Sequence, residues 1–119
     1  MIKVNIRIHD ATRYLRLTVD GHAGSDATGH DLVCASASIL AYTVAQIVKH
    51  MEERGELVGK PIVDLNEGNA SIIIRCKDDD IFAEARHTFY VVKTGFALLE
   101  YNYPQYVRVK SVGKALIKP

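Results

Sequence analysis

The chain has 119 residues, 48% of them hydrophobic and 24% charged, with a formal net charge of +1. That length suits one domain over residues 1–119, able to bury a core without a disulfide or metal staple. The near-neutral balance lacks the basic footprint of a nucleic-acid binder, so no direct nucleic-acid partner is expected. No apolar run is read as approaching the ~20 residues that span a bilayer. The opening residues alternate apolar and polar, unlike a signal peptide. A cytoplasmic protein with no membrane partner is therefore expected, its two cysteines reduced.

Ile2, Val4, Ile6 and Ile8 alternate with Lys3, Asn5, Arg7 and His9, the period of a strand with one dry face. Leu15, Leu17 and Val19 repeat that period after a short break, which predicts a hairpin. Residues 21–30 carry three glycines, few apolar side chains and no period, and read as a loop. Asp31 then opens a long helix, whose stripe is Val33, Ala37, Leu40, Val44, Ile47 and Met51, and Gly55 is its expected stop. A second set, Cys34, Ser38, Ala41 and Ala45, has small side chains suited to packing against another helix.

Residues 61–65 and 70–76 form the next strand pair around the turn Glu67-Gly68-Asn69. Asp78, Asp79 and Asp80 supply a cap and favourable helix-dipole charge for a second helix. Its stripe is Phe82, Ala85, Phe89, Val92, Phe96 and Leu99, which reads as core. Pro104 follows its end, residues 105–110 form a last strand, and residues 111–119 are a basic tail. The order ββαββαβ predicts an α+β fold: a single mixed sheet of about five strands with two amphipathic helices on one face.

Two residues stand where chemistry is feasible. His22 falls at the end of the second strand, where the sheet's rim exposes an imidazole. Cys34 falls in the first turn of the first helix if Asp31 is its cap. Unpaired N–H groups and partial positive charge at such an end favour a thiolate, the attacking form of a cysteine. A neighbouring histidine could protonate a leaving amine, and the N–H groups could bind an oxyanion. Asp31 has two competing roles, as helix cap or as the group that orients His22. Ser38, one turn after Cys34, is a supporting residue or a serine bonded back to its own helix. Cys76 shares a face with Ile72 and Ile74 and reads as buried and inert.

Gly21-His22-Ala23-Gly24 followed by Gly29-His30-Asp31-Leu32-Val33-Cys34-Ala35-Ser36-Ala37-Ser38 closely resembles the ribosomal-processing cysteine protease family, Prp. The resemblance covers the whole chain and is most specific from Asp20 to Leu40. It implies a cysteine endopeptidase with His22 as general base and Cys34 as nucleophile. Gly21, Ala23, Gly24, Gly29 and His30 then belong to a substrate loop that rearranges around the peptide. It implies a homodimer whose substrate is the precursor of large-subunit ribosomal protein twenty-seven, cut after an extension ending in apolar, often aromatic residues. Ser36 and Ala37 depart from the family's usual Ala and Val but remain small.

No cofactor and no metal are expected. His22, His30, Asp31 and Cys34 could ligate zinc by type, but their spacing matches no zinc pattern. A third reading is a non-enzymatic, ribosome-associated binding module.

Overall fold

The structure, a computed structural model, describes residues 1–22 and 30–112, with only the backbone of His30, Asp31, Ser111 and Val112. Strand β1 (Ile2–His9) leads through a single 3-10 turn (Asp10–Thr12) into β2 (Tyr14–Asp20). Helix α1 (His30–Glu53), the hairpin of β3 (Ile62–Asn66) and β4 (Asn69–Arg75), helix α2 (Asp79–Asn102) and β5 (Val107–Val112) follow. The order is the expected ββαββαβ, in one mixed five-stranded sheet arranged β3-β4-β2-β1-β5. Only β1 and β5 run parallel; the other neighbours are antiparallel. A parallel return needs a long crossover, which α2 provides.

Period-two patterning puts every second residue of β1, β2 and β4 under the helices. Ile2, Val4, Ile6, Leu15, Leu17, Ile72 and Ile74 are buried and share one core with Val33, Val44 and Val48 of α1. The complete predicted stripe of α2, from Phe82 to Leu99, is buried in it. The helices approach closely at Gly95, where an added Cβ would come within 2.9 Å of a methyl carbon of Leu40.

Several boundaries differ from expectation. Helix α1 begins at His30, so Asp31 sits inside its first turn instead of capping it. Strand β5 continues to Val112, into what reads as tail, because the parallel ladder to β1 extends as far as Arg7. Residues 32–53 of α1 are long and apolar enough to cross a membrane, which the sequence reading did not register. Its buried residues, from Val33 to Met51, are members of the protein core.

Two local devices secure the β1–β2 hairpin and α2. Arg13 takes a left-handed conformation at φ 54°, a cost of roughly 1–2 kcal/mol for a residue with a Cβ. Its carbonyl accepts from the Cys76 N–H at 3.0 Å and its guanidinium holds Asp79 at 2.8 Å. The Asp78 side chain caps α2, accepting the Ile81 N–H at 2.9 Å. Asp78→Ala should lower the unfolding free energy by about 1 kcal/mol. Urea denaturation should show an earlier midpoint with an unchanged slope.

Candidate active site

The site begins with how β2 ends. Asp20 pairs with Asn69 at the end of the β2–β4 ladder, and their side chains share a hydrogen bond. The next residue, Gly21, donates its N–H to the Gly68 carbonyl at 2.8 Å. Gly21 has φ +101°, and a Cβ there would overlap the Met1 carbonyl oxygen, so both backbone conformation and space require glycine. The Met1 amino group donates to the His22 carbonyl. The backbone is thus held immediately before and at His22.

The imidazole of His22 lies over Gly68 in the β3–β4 turn. A Cβ on Gly68 would stand 2.5 Å from Nε2 and 2.8 Å from Cε1 of His22. Gly68 itself has φ +75°. One glycine therefore makes the tight turn and leaves room for the ring.

Cys34 approaches from the opposite wall. It is the fifth residue of α1, half-buried against the core. His22 and Cys34 both line an open cavity of 440 Å³. Helix α1 contributes Cys34, Ala37, Ser38, Ala41 and Tyr42; Ile2 and Val19 come from β1 and β2; residues 65–70 close the far side. Of the small set, Cys34, Ser38 and Ala41 line this space, whereas Ala45 is buried in the core. Ser38 is exposed at the cavity, whereas Ser36 bonds back to the Leu32 carbonyl at 2.7 Å.

The structure therefore gathers Gly21, His22, Cys34 and Ser38. Ala23, Gly24 and Gly29 lie outside the described residues, as do the side chains of His30 and Asp31. The earlier helix start has a chemical consequence. At the fifth position the Cys34 N–H points into the helical ladder toward the His30 carbonyl. Unpaired donors are confined to the turn before it. Among the described residues no three His, Cys, Asp or Glu side chains cluster in a way that could hold a metal ion.

The two cysteines differ sharply. Cys76 is buried, and its N–H is engaged by Arg13. Burial, followed by the nearby carboxylates of Glu56 and Asp78, pushes its thiol up to about 11. A thiol so poised carries almost no thiolate at neutral pH. Sequence reading missed the turn at Asn66, Glu67 and Gly68 as part of the site. Its glycine marked a bend, but nothing local to it indicates that β4 pairs with β2 and brings it under His22.

An exposed imidazole and a half-buried thiol across one cleft form the kind of site a cysteine protease uses. The family model described as Cysteine protease Prp matches residues 1–108, and the chain belongs to that family. The Ribosomal processing cysteine protease Prp of Staphylococcus aureus, strains Mu50 and NCTC 8325, is 27% identical over 110 residues. The match covers 92% of this chain and 97% of the relative. The fold is also that of the crystal structure of an essential ribosomal processing protease Prp from S. aureus in complex with a substrate peptide. The TM-score is 0.66 at 23% identity, over 94% of this chain and 100% of that one. SMU.848 from Streptococcus mutans gives 0.64 at 23% identity, covering 96% of each chain.

Two measurements test this geometry. Iodoacetamide at pH 8 should alkylate Cys34 in the native protein and modify Cys76 only after unfolding, as peptide mass mapping would show. Gly68→Ala should displace the imidazole and lower kcat/KM about a hundredfold, the order of loss from a 1 Å misplacement. Gly59→Ala, with φ +69° and nothing within 4 Å, carries similar strain without the ring and should leave turnover unchanged.

Proposed function

We propose that this cysteine protease removes the N-terminal extension of large-subunit ribosomal protein twenty-seven through a thioester on Cys34. The observation that carries this reading is the meeting of His22 and Cys34 at a single cavity. Its walls include Ile2, Val19, Ala37, Ala41, Tyr42 and Leu65, which suit a peptide whose cut end is apolar or aromatic.

In this mechanism His22 takes the Cys34 thiol proton as the sulfur attacks the scissile carbonyl carbon. The carbon–nitrogen bond breaks, and the amine leaves with a proton from His22. Water then gives a proton to His22 as its oxygen attacks the thioester; the carbon–sulfur bond breaks, the acid is freed, and His22 returns the proton to the Cys34 sulfur. The tetrahedral oxyanion is met by N–H groups of the first turn of α1, ahead of Cys34, where no helical acceptor competes for them. Asp31 occupies that same turn and serves to orient His22.

The substrate adds no strand to the sheet at β2. Strand β2 has β4 on one side and β1 on the other, so its hydrogen-bonding edges are occupied. The peptide instead lies in the cavity above the end of β2. A cytoplasmic homodimer remains our reading of the working state. It is supported by large apolar side chains exposed on the helices, among them Leu32 and Ile39 of α1 and Tyr90, Leu98 and Tyr101 of α2.

Incubation with the extended ribosomal protein, followed by mass spectrometry, should yield one cut that releases the extension. Cys34→Ala should reduce the rate by at least about three orders of magnitude, the scale of removing a catalytic nucleophile. Undiminished cleavage by that variant would exclude Cys34 as the nucleophile.

A further inference from the structure

The sheet has a second face, turned away from both helices, and no described element covers it. Strand register places its side chains in rows. One row runs Arg108, Lys3, Asp20 and Asn69; the next Lys110, Asn5, Thr18, Ser71 and Asp64. A third contains Arg7, Arg16, Ile73 and Ile62, and a fourth His9, Tyr14 and Arg75. Lys3, Arg7, Arg16, Arg75, Arg108 and Lys110 thus share one face with only Asp20 and Asp64 as described acids. The net charge of +1 averages over surfaces of unlike charge, so it does not describe this one.

The centre of the face is arranged against its own stability. Arg7 and Arg16 are directly opposite on neighbouring strands, where like charges repel. Neither makes an ion pair with a described residue. The Nε of each, and Oδ1 of neighbouring Asn5, is shielded from solvent and has no hydrogen-bond partner among the described residues. Beside them an open groove of 480 Å³ runs between Lys3, Asn5, Thr18, Asp20, Arg108 and Lys110. At the other end His9 and Tyr14 face each other, ring centroids 5.4 Å apart.

We propose that this helix-free face docks single-stranded RNA. Guanidinium groups in a fixed row match phosphate oxygens bidentately. An anion between Arg7 and Arg16 would remove their repulsion at the centre of the face. Tyr14 and His9 offer a ring surface on which an unpaired base can stack, with Arg75 beside Tyr14 in the register. An acidic protein segment would use the charge but has no base to stack on the aromatic pair. The face lies across the sheet from α1, so bound RNA leaves the cavity of Cys34 open.

The test is fluorescence anisotropy of the intact protein with labelled single-stranded RNA of mixed sequence, repeated over a range of salt. Polyglutamate of matching charge is the competitor. RNA should bind with log K falling linearly against log salt, and polyglutamate should compete poorly. Arg7→Gln with Arg16→Gln should weaken binding about tenfold and make the slope shallower by about 1.4, two lost phosphate contacts at about 0.7 each. Lys3→Gln, Arg108→Gln and Lys110→Gln together, all at exposed positions, should also weaken binding. Both variants should retain peptide cleavage, which reports that they are folded. If the inner pair fails to fold, the exposed triple decides. Absence of salt-dependent RNA binding overturns the proposal. So does RNA binding that survives the exposed triple, or polyglutamate binding as tight as RNA, which would assign the face to an acidic protein.

Discussion

The pairing of β2 with β4 is the constraint from which the site follows. Asp20 opposite Asn69 ends that ladder, and the Gly21–Gly68 hydrogen bond extends it by one step. A slip of one residue would turn the buried face of β2 outward. It would also carry His22 off the turn it rests on. The burial of Leu15, Leu17, Ile72 and Ile74 resists such a slip. Thus the same apolar alternation that stabilises the sheet holds the imidazole in position.

The thiol is positioned by a separate element with a similar logic. Val33 is fully buried beside Cys34, and the core stripe of α1 sets the helix's rotation about its axis. With that rotation set, Cys34, Ser38 and Ala41 face the cavity, and their small volumes leave it open. Cys76 shows the opposite use of the same residue type. Its burial near two carboxylates keeps it a thiol.

The two faces of the sheet divide the molecule's labour. The inner face is wholly committed to the core and the floor of the cavity. The outer face carries positive charge in rows that the strand alternation makes unavoidable once the inner residues are buried. A directly opposed arginine pair lowers stability, and departures of this kind tend to sit where a protein meets something else.

Much of the molecule is legible in its amino-acid order. Alternation marks β1, β2 and β4, the helical stripe of α2 is buried residue for residue, and the family motif singles out His22 and Cys34. These features are local: a period, a cap or a short motif is written in consecutive residues. What the order of residues does not show is which strands lie side by side. Only tertiary pairing put Gly68 beneath His22, turned Cys34 and Ser38 toward a cavity, enclosed β2 on both edges and collected six cations on one surface. The physical reason is that each of these depends on contacts between residues distant in the chain, and such contacts leave no periodic signal at either partner.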